Sequence, residues 1–318
     1  VSEAAGHPSA RPTARIPSLA RPLLSLLAAV LCAAAVMALA RLAVGTPSGQ
    51  RLDQLILSGA AQHDGLLSQV APAAVQTVSL PVIAALLGLT ALLVLIRRRT
   101  ALLLPLGVAV LGANLTTQVL KHLVVTREAL APGIEVTPNS FPSGHTTLAA
   151  TAMIALVLAA GRVRILLAPL GAAWTLAAGI GTLVLGWHRP SDVIGAITVA
   201  AAWTFLALAM DGLVTRARLR RGGSAPARRR LIGRDRTTVL EVAVTVLMGL
   251  VGLAALGLGV VRFIGLGLPL DLDDPSQQLA AVDAMTALIG GGTAVWLALV
   301  LALRTPTSLR RAPADRVP

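Results

Sequence analysis

The chain has 318 residues, of which 55% are hydrophobic and 13% charged, with a mean hydropathy of +0.79. That balance excludes a soluble single domain and points to a polytopic membrane protein. The formal net charge of +13 would suit nucleic acid, but the arginines sit in short clusters between apolar runs, as cytoplasmic loops do, so no nucleic-acid partner is expected.

Residues 1–22 are rich in Pro, Ser, Ala and Arg and read as a disordered cytoplasmic tail. Val1, read as a GTG start, and the Ala/Arg/Gly-rich composition point to a bacterial chain. Residues 23–44 form an apolar run close to the ~20 residues of a spanning helix. Cys32, the single cysteine, lies within it as a small apolar residue, which excludes an intrachain disulfide and a cysteine-based metal site.

Residues 45–75 carry Arg51, Asp53, His63 and Asp64, and place Leu52, Leu55, Ile56 and Gly59 at helical spacing. This predicts an amphipathic helix on the outer surface. A second span covers 78–96 and ends in Arg97-Arg98-Arg99, which fixes the inside. In the third span, 101–120, Asn114, Gln118 and Lys121 stand at i, i+4 and i+7, one face that should look into the bundle. After a loop at 122–141 come spans at 146–160, 165–186 and 193–214, with an inside turn at Gly161-Arg162-Val163-Arg164.

Residues 215–236 are an arginine block, from Arg216 to Arg236, read as a cytoplasmic linker that anionic lipid headgroups attract at about 1 kcal/mol per basic residue. Two further spans, 238–261 and 285–302, flank an outside loop holding Asp271, Asp273 and Asp274, and 305–318 form an inside tail. The expected fold is therefore an all-α polytopic membrane helix bundle. It has a six-helix core at 23–214 and two additional membrane helices within 237–304. Every arginine cluster falls on one side of this eight-span arrangement, with both termini cytoplasmic.

That topology puts three polar clusters together on the extracytoplasmic face: Lys121 with Arg127, Phe141-Pro142-Ser143-Gly144-His145, and His188-Arg189-Pro190-Ser191-Asp192. His188 and Asp192 are four apart, so a helix starting nearby would set them on one face. A carboxylate on one imidazole nitrogen fixes the tautomer and frees the other to attack. Pro142 suits a first helical turn, leaving the Ser143 and Gly144 amides at a helix N-terminus, where anions bind. His145 beside them is placed to protonate a leaving oxygen. Lys121 and Arg127 offer a point charge and a planar fork for phosphate, with Arg189 close by. Glu128 and Glu135, in the same loop, would repel phosphate unless one of them orients Lys121 or an arginine.

Pro142-Ser143-Gly144-His145, followed by His188-x3-Asp192, resembles the second and third motifs of the type-2 phosphatidic acid phosphatase superfamily, which also contains the vanadium haloperoxidases. The resemblance covers about residues 23–214. It implies a phosphatase in which His188 takes the phosphoryl group as a phosphohistidine, Asp192 orients it and His145 is the general acid. Lys121, Arg127, Ser143 and the Gly144 amide would stabilise the transferring charge, without metal or other cofactor. Two departures stand out. The first motif reads Lys121-x5-Arg127-Glu128, one residue short and without its proline. Gly181-Thr182 stands where the family has Ser-Arg, so a phosphate-binding arginine is missing unless Arg189 or Arg127 compensates.

The expected function is hydrolysis of lipid phosphate monoesters or diphosphates, such as polyprenyl diphosphate, phosphatidate or phosphatidylglycerophosphate. The alternative is a non-catalytic lipid-phosphate binder or transport component on the same bundle, motivated by Thr182. A haloperoxidase fits poorly with a membrane chain short of one arginine, and no paired broken helices mark a secondary transporter.

Overall fold

A computed structural model of the chain describes residues 18–62, 66–134, 138–221 and 237–305. Most of the expected tails (1–17 of 1–22, and 306–318 of 305–318) and of the arginine block (222–236 of 215–236) lie outside the described residues, as do His63, Asp64 and Glu135. Residues 20–22, expected as tail, open α1, and 215–220, expected as linker, continue α8. The fold is an all-α polytopic bundle, with no strand among the described residues. Its helices are α1 (Ala20–Leu39), α2 (Pro47–Ala61), α3 (Leu66–Gln76), α4 (Leu80–Ile96), α5 (Leu103–Val119), α6 (Gly144–Ala159), α7 (Arg164–Val184), α8 (Pro190–Arg220), α9 (Val239–Ile264) and α10 (Pro275–Leu303). Helices α1 and α5 each run on through a π-helical turn, Ala40–Val44 and Leu120–Val124.

All eight apolar runs are helical. Six helices are long and apolar enough to cross a membrane: α1 and α5 with their π-turns, α7, α8, α9 and α10. Gln69–Gln76 and Leu80–Ile96 pass the same test only together, as a pair bent by 59°, the form of a broken span or a re-entrant loop. The bend falls where Ser79 takes extended dihedrals and a proline opens the first turn of α4, so the backbone must restart there. Helix α6 has 16 residues, about 24 Å at 1.5 Å per residue, short of the ~30 Å apolar layer. It need not face lipid, because α4, α5, α7 and α8 all pack around it. Its Ala149, Ala150, Ala152, Ala155 and Ala159 are buried, and such small side chains let neighbouring backbones approach closely.

The same logic sets the periphery. The apolar stretch of α8 is 67% buried against 17% in α9, whose Leu247, Leu250 and Leu253 point outward to where lipid would lie. Helix α9 packs on α10, and α10 packs on α2, α7 and α8. At the arginine-bearing end this pair is locked by Glu241, whose Oε1 takes Arg304 Nη2 at 2.5 Å and lies 4.0 Å from Arg164 Nε. All three side chains are buried. Arg164 also donates to the Gly161 carbonyl.

Two expectations are corrected. Helix α2 is not an outer-surface amphipathic helix: Leu55 and Ile56 are fully buried, and Gln50, Asp53 and Gln54 from its polar side are buried too. The close approach of α2 to α10 is made at Gly59, where a Cβ would fall 2.4 Å from the Gln278 carbonyl oxygen. On α5, Asn114 does face the bundle, donating to Thr151 Oγ1 at 3.3 Å, but Gln118 is exposed. The inward polar group is Thr117, fully buried and 3.0 Å from Thr147 Oγ1.

Candidate active site

The end of the bundle opposite the arginine lock gathers the three polar clusters. The first is positioned by the π-turn Leu120–Val124, in which the Val125 amide reaches the Leu120 carbonyl at 2.9 Å. Asn139 closes this segment back on itself, its Nδ2 donating to the carbonyls of Lys121 (2.9 Å) and Val125 (2.7 Å). Lys121 thereby comes within electrostatic reach of Asp192 and of His145.

The second cluster begins α6. Ser143, not Pro142, is the boundary residue: its Oγ accepts from the Thr146 amide (3.4 Å) and the Thr146 hydroxyl (3.0 Å). Its own amide donates to the Asp192 carbonyl at 2.9 Å. Ser143 is fully buried, so it shapes the turn and ties it to α8, and its amide is already occupied. Gly144 and His145 supply the first two helical N–H groups, which have no acceptor within the helix. A Cβ at Gly144 would meet nothing within 4 Å, so there is open space beside this residue. His145 is half-buried, its ring 5.7 Å from that of Trp187 and tilted by 49°.

The third cluster hangs on the end of α7. Gly186 has φ +69°, a left-handed conformation that glycine takes without strain. Its amide returns to the Leu183 carbonyl (2.9 Å) and the Trp187 amide to the Thr182 carbonyl (2.9 Å), the paired bonds of a Schellman cap. The His188 amide shares the Thr182 carbonyl at 3.2 Å. Thr182 is fully buried and its hydroxyl donates to the Gly179 carbonyl at 2.7 Å. The position at which an arginine is missing therefore serves as the backbone hook that presents His188.

Helix α8 then starts with Pro190 in its first turn and Arg189 as its boundary residue. Asp192, the third helical residue, reaches back to the Arg189 amide (2.9 Å) as the acidic partner of a capping box does. The same Oδ2 accepts from Ser140 Oγ at 2.5 Å and lies 3.4 Å from His188 Nδ1. His188 and Arg189 are both buried. With Nδ1 turned to Asp192, Nε2 of His188 is the ring nitrogen left outside this pair.

Arg127 is placed between two carboxylates. Its Nη2 lies 3.4 Å from Asp192 Oδ1 and 3.6 Å from Asp53 Oδ2, with a further contact of 3.5 Å to Ser191 Oγ. Asp53, from α2, takes the Ser191 amide at 3.1 Å and the Ser191 hydroxyl at 2.5 Å. Burial, and then the Asp192 carboxylate beside it, push Asp53 up to about 6, against the pull of Ser191 and Arg127. Glu128 is exposed and contributes only its carbonyl, which accepts from Gln50 Nε2 at 2.7 Å. The carboxylate that orients an arginine is thus Asp53 and not Glu128. The available signal was Gln50, Asp53 and Gln54 at i, i+3 and i+4, a polar stripe beside the apolar one.

Among the described residues no group of three or more His, Cys, Asp and Glu side chains is arranged to hold a metal ion. Searches of curated proteins and of solved structures return nothing that matches the chain. The family model described as "PAP2 superfamily" matches residues 102–216. That stretch carries Lys121, Arg127, Ser143, Gly144, His145, His188, Arg189 and Asp192 with the helices that hold them, and over these residues the chain is similar to the PAP2 superfamily, the type-2 phosphatidic acid phosphatases.

Proposed function

We propose that the protein is an integral-membrane lipid phosphatase, acting on phosphate monoesters or diphosphates of lipids at the extracytoplasmic face through a phosphohistidine. The match to the PAP2 superfamily suggests phosphatase activity on phosphate esters, and the membrane helices suggest a lipid substrate in a bilayer. The observation that carries the reading is the His188–Asp192 pair, 3.4 Å apart, with His188 in electrostatic reach of His145 at the start of α6. Contacts of this kind are often long without substrate.

In this reading the lone pair on His188 Nε2 forms the N–P bond as the P–O bond to the lipid breaks, and His145 gives its proton to the leaving oxygen. Water then attacks phosphorus, losing a proton to His145, and inorganic phosphate leaves a restored His188. Asp192 holds the imidazole and balances the charge that develops on it. Lys121, the Gly144 and His145 amides and Arg189 meet the phosphoryl oxygens. Arg127, already between Asp53 and Asp192, offsets the two carboxylates and keeps them from repelling the phosphate. The arginine-bearing end faces the cytoplasm, where anionic headgroups attract it. The PAP2 core would run from 23 to 214, with α9 and α10 as an added pair.

The second reading, a binder of lipid phosphates without chemistry, rests on the buried Thr182. The test is phosphate release by the purified protein in detergent–lipid micelles containing polyprenyl diphosphate, phosphatidate or phosphatidylglycerophosphate, with excess chelator, beside His188→Ala. Release that survives chelator and vanishes in the variant supports the phosphatase. Binding of the lipids without release by either protein supports the binder.

A further inference from the structure

Helix α2 lies outside the segment that the PAP2 model matches, yet it reaches both ends of the matched site. Gln50 and Asp53 stand one turn apart on its buried side. Gln50 grips the backbone around Arg127: its Nε2 donates to the Glu128 carbonyl at 2.7 Å, and its Oε1 accepts from the Leu130 amide at 3.0 Å. Asp53 then takes Arg127 itself and, with its other contacts, the amide and hydroxyl of Ser191 in the first turn of α8. One short helix thus ties the Arg127 segment to the turn that carries His188 and Asp192.

From this geometry we infer that Asp53 is a positioning residue of the phosphatase site, whose charge shares Arg127 with Asp192 and so leaves Asp192 directed at His188. The inference rests on the phosphatase reading above. Its logic is a competition. Asp192 has two cation-seeking oxygens: Oδ1 faces Arg127 at 3.4 Å and Oδ2 faces His188 Nδ1 at the same distance. A guanidinium prefers a bidentate grip on one carboxylate. With Asp53 in place, Arg127 Nη2 is shared between two acids, Asp53 Oδ2 and Asp192 Oδ1, and Asp192 Oδ2 stays with the imidazole. Without the Asp53 charge, Arg127 turns wholly onto Asp192, and His188 loses the group that sets its tautomer and aim.

Hydrogen bonding and charge are separable here. Asparagine at 53 keeps one oxygen for the Ser191 amide and sets an NH2 where Oδ2 met the Ser191 hydroxyl, which can turn to accept from it, so α8 stays tied to α2 while the charge that drew Arg127 is gone. A purely structural Asp53 would be rescued by that change. Burial also raises the cost of ionising Asp53, so the neutral variant should fold at least as well as the native chain.

The experiment compares the full chain, Asp53→Asn and His188→Ala in detergent–lipid micelles. It measures kcat, KM and the thermal midpoint on whichever lipid phosphate the native chain hydrolyses best. The expected result for Asp53→Asn is a fall in kcat of about ten- to a hundredfold, as for partners that orient a histidine from behind. KM should stay within about threefold, because the loss is in the transition state rather than in binding, and the midpoint should be unchanged or higher. Native kcat in Asp53→Asn overturns the inference and leaves the phosphatase reading standing. So does a fall in kcat that comes with a lowered midpoint, which would make Asp53 a structural residue. Activity absent from the native chain, or equal in His188→Ala, overturns the phosphatase reading and the inference with it.

Discussion

His188 and Asp192 meet across the start of a helix: Nδ1 of the histidine, two residues before α8, lies 3.4 Å from Oδ2 of the third residue within it. The aspartate is therefore both the acid of the helix cap and the partner of the imidazole. Replacing it with asparagine keeps a cap acceptor but not the charge. Asp192→Asn should lower kcat by about two to four orders of magnitude, as loss of a tautomer-setting carboxylate does elsewhere, while the thermal midpoint moves much less. Steady-state phosphate release and a melting curve on the same sample check this.

The raised Asp53 carboxyl has a consequence for stability with a definite sign. Protonated Asp53 suits the folded state better than ionised Asp53, because its ordinary value of 3.8 rises to about 6 on folding. The native chain therefore binds more protons than the unfolded one between these values, and this contribution to stability falls as pH rises through them. Asp53→Asn should be more stable than the native chain above pH 6, by up to about 3 kcal/mol at 1.36 kcal/mol per unit. The difference should close as pH falls toward 4. Denaturation of both proteins in the same detergent across this range tests it, and a variant less stable at pH 7 would contradict it.

Glu241 carries two buried guanidinium groups at the opposite end. Removing one partner of a buried pair leaves the remaining charge without compensation, at a cost of about 3–5 kcal/mol. Glu241→Ala should lose stability of that order, and Arg304→Met in the same background should recover part of it. The midpoint of unfolding in each variant is the measurement.

Thr182→Arg restores the arginine that the family motif carries, yet it should not raise activity. The threonine is fully buried with its hydroxyl bound to Gly179, and its carbonyl holds the Trp187 and His188 amides. A longer side chain would force the cap apart, costing about 1–3 kcal/mol by overpacking. A gain in kcat in this variant would show that the site lacks the arginine after all.

The proposed sidedness can be tested with single cysteines in a Cys32→Ala background. Ala129→Cys, exposed beside the site, should react with an impermeant maleimide added to intact cells. Arg221→Cys, exposed past the other end of α8, should react only after lysis. The reverse pattern would place the site on the cytoplasmic face.

The helices and the histidine pair are legible in the sequence because their causes are local. Apolar length makes spans, Gly186 ends a helix, and four-residue spacing brings His188 to Asp192. The buried role of α2 is not legible, for two physical reasons. Asp53 meets Ser191 across 138 residues, a contact with no periodic trace. A helix with one apolar face also has the same pattern whether its polar side meets water or a buried guanidinium. Gln118 misleads in a related way: it is the more polar side chain, but Thr117 is the one satisfied inside, by Thr147. At Ser143 the motif is plain, whereas the occupation of its amide by Asp192 depends on how α6 and α8 cross.

The contact at Gly59 sets a limit on how the chain can be divided. There α2 rests on the backbone of Gln278, in one of the two helices beyond the PAP2 match, while six residues earlier Asp53 reaches into the matched site. A fragment cut to residues 102–216 would lose both the clamp on Arg127 and the surface that clamp leans on. The matched stretch is thus smaller than the set of helices that hold the candidate site together: α10 supports α2, and α2 ties the Arg127 segment to the start of α8.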